Sequence, residues 1–260
     1  MSAEDGLFRS VLKPGPRMRG LWRGALDAIF PPQSIDGAPV LAGGLSAAAW
    51  SRIQWLDGPV CDGCGVPFAY DLGEGVRCPA CLARPRVFSR ARAACIYDET
   101  SRDPILKLTH ADRTDLAPLF ARWLSRAARE LIGEADAIAP VPLHPSRLLS
   151  RRYNQAAEIA RPLARMARVP YLPDALVRRR DTATQGGRSG PGRKRNVAGA
   201  FEVPPARAAQ VAGRTVLLVD DVLTTGATAE GCARALKAAG ALRVDVAVVA
   251  RVKEMAGLAI

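Results

Sequence analysis

Two apolar runs, Thr215–Val219 and Val244–Val249, flank a stretch of helical spacing, 228–239, that Gly240 closes. A strand–helix–strand unit whose strands are apolar throughout has few solutions. Both faces of each strand must be buried, so the strands lie parallel in a sheet with helices on either side. The same alternation reaches back to residue 93. Ala94–Tyr97 reads as a short strand, and Asp103-Pro104 as an N-cap followed by proline at the first helical position, opening a helix with Ile105, Leu106 and Leu108. Residues 115–132 make the clearest helix: Leu116, Leu119, Phe120, Trp123, Leu124, Ala127 and Leu131 share one stripe, with Arg122, Arg126 and Arg129 opposite. A strand at Ala137–Val141 and a helix at Gln155–Ala167, interrupted in its pattern by Pro162, complete the series. The predicted fold class is α/β, a parallel sheet flanked by helices, over residues 91–255. A helical segment occupies 1–32, ended by Pro31-Pro32, and a Gly-, Pro- and Cys-rich module occupies 33–90.

The chemistry concentrates in Val216–Thr228, VLLVDDVLTTGAT. An apolar strand ends in two adjacent carboxylates, Asp220 and Asp221. Thr224, Thr225, Gly226, Ala227 and Thr228 then lead into a helix. Ligands of open parallel sheets bind at the carboxyl ends of the strands. A turn of small residues at a helix N-terminus exposes backbone N–H groups and the positive end of the helix dipole, and the threonine hydroxyls add donors. That suits a phosphate dianion, with Gly226 allowing close approach. The two carboxylates upstream can accept hydrogen bonds from vicinal sugar hydroxyls. Phosphate and diol on one loop describe a ribose 5-phosphate.

This segment resembles the diphosphate-binding signature of the type I phosphoribosyltransferases at every position. The resemblance implies Asp220 and Asp221 on the ribose hydroxyls and Thr224–Thr228 on the 5′-phosphate. Further tracts are similar to a narrower group, the ComF-like proteins: Pro140-Val141-Pro142-Leu143 with Arg147, then Arg151-Arg152-Tyr153-Asn154-Gln155, and Thr184-Gln185 with Arg193 and Asn196 before Gly199-Ala200-Phe201. At Arg152 the chain departs from the group, which more often has glycine there. The substrate implied is 5-phosphoribosyl 1-diphosphate, whose pyrophosphate Arg151, Arg152 and Arg193 could neutralise through forked donors. Arg188, Arg193 and Lys194, in the Gly-rich segment 178–196, could close over it as a lid. Mg²⁺ is implied with the diphosphate.

The formal net charge of +12 raises the question of nucleic acid, and its distribution bears on the answer. Residues 147–195 hold twelve Arg and one Lys against three acids, so the excess is regional. Such a region suits a polyanionic small molecule or a nucleic-acid backbone. Aromatic residues are 5% of the chain and rare in that region, so stacking platforms are poorly supported and nucleic acid is the less favoured partner. No apolar run approaches the ~18–20 residues needed to cross a bilayer, and the first residues lack a long apolar core of a signal peptide. A cytoplasmic, membrane-free protein is expected.

Four of the six cysteines form two C-x-x-C pairs, Cys61/Cys64 and Cys78/Cys81. Two such turns complete a tetrahedral Cys₄ site, read here as structural Zn²⁺ with no open position. Cys95 and Cys232 sit in apolar stretches, as buried small hydrophobes do. Just upstream, Gly37–Val40 parallels Gly65–Phe68 and Leu45–Ala49 parallels Arg77–Cys81. In that register the ligand positions hold Gln33, Asp36, Ser46 and Ala49, which cannot bind zinc. The region reads as a first ribbon without metal, in line with double-ribbon members of the ComF-like group. Three functions fit these features: a phosphoribosyltransferase acting on an unidentified nitrogenous acceptor, a non-catalytic sensor of the ribosyl diphosphate signalling to a protein partner through the zinc module, and a DNA-binding accessory of competence.

Overall fold

A computed structural model describes residues 45–110, 113–146, 148, 152–179 and 199–253. The chain divides into two compact units, Met1–Trp50 and Ser51–Ile260. In the first, Ser46 Oγ accepts the Ala49 N–H at 3.1 Å where the helix Ala47–Arg52 begins. Ser46 thus precedes this helix as Cys78 precedes the helix Pro79–Ala83. Gln33 and Asp36, the other half of the proposed metal-free ribbon, lie outside the described residues.

The second unit is built on four parallel strands, β1 (Ala91–Ile96), β2 (Ala137–Pro140), β5 (Thr215–Leu223) and β6 (Arg243–Arg251), in the order β1-β6-β5-β2. Two further strands, β3 (Val177–Arg178) and β4 (Phe201–Glu202), pair antiparallel. The longer helices are α1 (Glu99–His110), α2 (Ala117–Ala127), α3 (Gln155–Ala167) and α4 (Ala227–Ala238). Val216 and Leu218 of β5 and Val244, Val246 and Val248 of β6 pack in one core with Ala229, Cys232, Ala233 and Leu236 of α4. Alternation along the strand turns Leu217 and Val219 to the other face, where α2 and α3 pack on each other and on the sheet. Cys95 and Cys232 are both fully buried.

Both sheet edges are covered. Leu56 N–H donates to the Ala94 carbonyl and Ile96 N–H to that of Gln54, so residues 54–56 line the outer side of β1. On the far side, Ile138 exchanges hydrogen bonds with Pro170 and Leu172. Unpaired edge groups are thereby removed. Among the described residues, no helix is long and apolar enough to cross a membrane.

Three elements differ from the sequence reading. Helix α1 starts one turn earlier, because Asp98 and not Asp103 caps it: Asp98 Oδ1 accepts the N–H groups of Thr100 and Ser101 at 3.0 and 2.9 Å, and Ser101 Oγ accepts the Asp98 N–H in return. This reciprocal cap outweighs the preference of proline for the first turn, and Pro104 lies inside the helix. The single helix expected over 115–132 is broken at Ala128 (φ −115°, ψ 29°), and Arg129–Gly133 forms a separate turn. The stripe holds nonetheless: Leu116, Phe120, Trp123, Leu124 and Leu131 are buried, and Phe120 and Trp123 meet edge to face at 5.0 Å. Finally, β5 does not end before the carboxylates but continues through them to Leu223.

The cysteine module sits directly against this sheet. Gly65 has φ +71°, and a Cβ there would lie 2.7 Å from the Ala91 carbonyl oxygen of β1. Arg92 of β1 reaches back to the Asp62 carboxylate at 3.1 Å and to its carbonyl at 3.2 Å. Arg251, at the end of β6 and 1% exposed, donates to the Cys64 carbonyl. Gly65→Ala should therefore lower stability by roughly 2–4 kcal/mol, from left-handed backbone strain plus a backbone clash. Gly73→Ala is the control, since Gly73 also has positive φ (+90°) but nothing within 4 Å. Denaturation midpoints of the zinc-loaded variants measure the difference, and equal losses would show that the module does not press on β1.

Candidate functional site

All four parallel strands point their carboxyl ends the same way, and a pocket of about 380 Å³ opens there. Its geometry follows from unequal ladders. β5 pairs with β6 as far as Leu223, but with β2 only as far as Val219, opposite Pro140. The next ladder bond is not formed, because the Val141 carbonyl accepts from Asn154 Nδ2 and the Asp221 N–H turns to Asp220 Oδ1. The last residues of β5 are therefore open on the β2 side. Asp220, Asp221, Val222, Thr224 and Thr228 line the pocket from β5 and the turn after it. Val141, Pro142 and Leu143 line it from the end of β2, Tyr97, Ile105 and Leu106 from the β1–α1 segment, and Asn154, Gln155 and Arg178 close it.

Because the strand runs through both carboxylates, they project to opposite faces of the sheet end. Asp220 shares the α4 face. Burial and then the neighbouring Asp221 charge push its carboxyl well above the usual range, against the Asp221 backbone N–H and the Arg178 cation, which act the other way. Asp221 faces α3, and its Oδ2 accepts from Gln155 Nε2 at 3.4 Å. Gln155 is placed by the cap of α3: Asn154 Oδ1 accepts the Ala156 N–H at 3.0 Å, while Asn154 Nδ2 donates to the Val141 carbonyl at 2.9 Å. One asparagine thus starts the helix and ties it to the end of β2. Tyr153 donates its hydroxyl to the Leu108 carbonyl, fastening the same loop to α1.

After Leu223 the chain turns through Thr224 and Thr225 into Gly226, whose φ of +80° stands at the N-cap of the twelve-residue α4. Ala227 and Thr228 open the helix, where the first N–H groups have no intrahelical acceptor. The turn and both acids are thus gathered at one corner, as the sequence spacing predicts.

The arginines expected around the pyrophosphate are only partly placed. Arg151 and Arg193 lie outside the described residues. Arg152 is exposed, has φ +64°, and is not among the residues lining the pocket. This left-handed backbone explains why glycine suits the position. A cation here costs roughly 1–2 kcal/mol of backbone strain. Lys107 pairs with Asp103 on its own helix at 2.8 Å, and His144 Nδ1 bonds Ser146 Oγ at 2.8 Å. Neither lines the pocket.

Arg178 was missed as a site residue. In sequence it opens the run Arg178-Arg179-Arg180 at the start of the Gly-rich segment 178–196, where only Arg188, Arg193 and Lys194 are singled out. In the structure Arg178 pairs with Phe201 across the β3–β4 ladder, its guanidinium carbon 5.4 Å from the ring centroid, and this holds it over the pocket. The alternation of Val177 and Arg178 was the only local hint, too short to carry weight. Residues 180–198, the body of the expected lid, lie outside the described residues.

The four cysteines of the C-x-x-C pairs are buried together, all sulfurs within 4.8 Å of one another, with Cys64 and Cys78 Sγ 3.7 Å apart. A tetrahedron with zinc–sulfur bonds of about 2.3 Å has edges of about 3.8 Å. Cys61 Sγ accepts the N–H groups of Cys78 at 3.1 Å and Cys64 at 3.5 Å. Burial alone would raise its pKa, but these bonds outweigh it and bring it down to about 7. Burial raises Cys78 and Cys81. A buried group of thiols with such conflicting demands fits a cation, and the cluster could hold zinc.

The electrostatics of Asp220 carry a direct consequence. A carboxyl that holds its proton more tightly when folded favours folding at low pH, and loses that advantage as pH rises through the raised pKa. Asp220→Asn removes the cost of the buried charge. It should raise the melting temperature by roughly 2–4 °C near pH 8, the shift given by about 1 kcal/mol in a domain of this size, with the gain fading towards pH 4. Thermal melts across that range test this, and a gain independent of pH would refute it.

A family model of the phosphoribosyl transferase domain matches residues 154–257. The DNA utilization protein YhgH of Escherichia coli (strain K12) is 33% identical over 203 residues, covering 75% of this chain and 86% of that protein. Competence protein F of Haemophilus influenzae is 29% identical over 193 residues, covering 72% of this chain and 82% of its own. Among solved structures, the glutamine phosphoribosylpyrophosphate amidotransferase of B. subtilis, complexed with ADP and GMP, aligns with 54% of this chain and 26% of its own at 23% identity and a TM-score of 0.34. The match to YhgH spans most of both chains, so this chain belongs to the ComF family, together with YhgH and competence protein F.

Proposed function

We propose that the chain binds 5-phosphoribosyl 1-diphosphate at the β5–α4 corner and transfers its phosphoribosyl group to a nitrogen nucleophile. The observation that carries this reading is the placement of Asp220, Asp221, Thr224 and Thr228 on one pocket, with the left-handed Gly226 at the head of α4. A pair of acceptors beside a helix N-terminus matches a ligand with a diol at one end and a phosphate at the other. Asp220 and Asp221 take the ribose hydroxyls. The amides and hydroxyls of Thr224, Thr225, Gly226, Ala227 and Thr228 take the 5′-phosphate. Arg151, Arg152 and Arg193 neutralise the pyrophosphate, with Arg178 as a further cation beside Asp220.

In the reaction, the bond from C1 of the ribose to the diphosphate oxygen breaks and pyrophosphate leaves with the electron pair. The acceptor nitrogen forms the new bond to C1 and gives up a proton. The transition state resembles an oxocarbenium ion, so the protein contributes positioning and stabilisation of the growing negative charge on the leaving group. Mg²⁺ would be held mainly through the diphosphate oxygens and several waters, with Asp221 able to add an oxygen donor. Zn²⁺ at Cys61, Cys64, Cys78 and Cys81 serves structure. A cytoplasmic location suits a phosphorylated substrate and reduced thiols. The names of the relatives support a service to DNA utilization and competence.

Asp221→Asn should weaken binding of 5-phosphoribosyl 1-diphosphate about 10- to 150-fold, the loss of one charge-assisted hydrogen bond of about 1.5–3 kcal/mol. Titration calorimetry with Mg²⁺ present measures it, and unchanged affinity would remove Asp221 from the site. Release of pyrophosphate on addition of a panel of nucleobases separates transfer from mere binding.

A further inference from the structure

Arg86 lies five residues beyond Cys81, in the segment joining the cysteine module to β1. Its side chain is 16% exposed. Nη1 donates to the Thr225 carbonyl at 3.0 Å and to Glu230 Oε1 at 3.2 Å. Glu230, with a side chain 7% exposed, stands in the first turn of α4, and its own N–H donates to the Gly226 carbonyl at 2.8 Å. The same Nη1 would lie 3.4 Å from a Cβ on Gly226. One guanidinium therefore holds the turn from its carbonyl side and the helix from its first acid.

This grip has a consequence for the phosphate donors. A peptide unit is planar and trans, so its C=O and N–H point in opposite directions. With the Thr225 carbonyl held by Arg86, the Gly226 N–H of the same peptide is aimed away from the arginine. The Cys81 sulfur counts with Glu230 among the groups that offset the cost of burying the Arg86 cation. A planar fork with fixed donors suits such a bridging role better than a flexible ammonium.

We infer that Arg86 is a positioning residue that couples the cysteine cluster to the phosphate-binding turn, so that metal occupancy and ribose-phosphate affinity strengthen each other. The inference rests on the proposed binding of ribosyl phosphate at that turn. A metal held by Cys78 and Cys81 anchors the helix Pro79–Ala83 and with it the short segment that carries Arg86. An anion at the turn draws on the same fixed peptide, and by linkage each ligand raises the affinity for the other by one common factor.

The test uses the zinc-loaded protein with ribose 5-phosphate as the probe. Zinc affinity is measured by competition with a chelator, with and without the probe, and binding of the probe is followed separately by calorimetry. In the wild type the probe should raise zinc affinity at least about five-fold, the lower end for coupled sites. In Arg86→Met the affinity for zinc alone should stay within about two-fold of wild type while the effect of the probe disappears, and Arg86→Lys should restore part of it. Glu230→Gln, which removes the anion that steadies Arg86, serves as a second variant if Arg86→Met does not fold, and should weaken the coupling likewise. A wild type that binds the probe but shows unchanged zinc affinity overturns the coupling and leaves the proposed function standing; so does a methionine variant that keeps the full effect. A zinc-loaded wild type that gives no binding of ribose 5-phosphate overturns the proposed function and this inference together.

Discussion

The asymmetry between two ladders on one strand shapes this molecule. β5 is bonded to β6 along its whole length, yet its bonds to β2 stop at Val219, whose carbonyl accepts the Val141 N–H as the last bond, since Asn154 takes the Val141 carbonyl. A central strand is rigid because it is held on both sides. Releasing one side at its carboxyl end leaves a few residues that are still positioned by β6 and yet open towards a cavity. Asp220 and Asp221 occupy that stretch. Burial and the neighbouring Asp221 charge act against ionisation of Asp220, which is the kind of local cost that folds carry at sites of chemistry and offset elsewhere.

Support for the same corner comes from several directions, each through backbone carbonyls. Asn154 holds the Val141 carbonyl, Tyr153 that of Leu108, Arg86 that of Thr225 and Arg251 that of Cys64. Side chains that donate to carbonyls at the ends of strands and turns take up groups the regular ladders leave over. They also fix the directions of the neighbouring N–H groups. The cysteine module takes part as a packed piece of the same compact unit, pressed on β1 at Gly65 and joined to the end of β6 by a buried cation. A buried arginine is tolerable only with acceptors in place, so the module and the sheet are poorly separable.

Much of this was legible from residue order. The apolar runs in β5 and β6, the stripe of Leu116 to Leu131, the helix from Gln155 and the two C-x-x-C turns each follow from local period or spacing, and the structure has them. Errors arose where a local rule met a competitor. Asp103-Pro104 has the form of a helix start, but the reciprocal cap between Asp98 and Ser101 begins α1 a turn earlier. The acids looked like the end of β5, since charges rarely sit within buried strands; pairing with β6 carries the strand past them. Arg178 read as loop, because its strand is only two residues long and its partner, Phe201, lies more than twenty residues away.

The sequence by itself determined the elements, the ribose-phosphate signature, the family resemblance and the composition of the metal cluster, because these depend on residues near one another in the chain. Only the tertiary structure decided that the two carboxylates face opposite sides of the sheet end, that Arg178 is folded back over the pocket, and that Arg86 joins the cysteine cluster to the turn. Arg86 is separated from Thr225 by 139 residues and from Glu230 by 144. No period or spacing encodes a contact at that distance; it arises where β1 and the segment before it are laid beside β6, and the close packing of that junction leaves the guanidinium those acceptors.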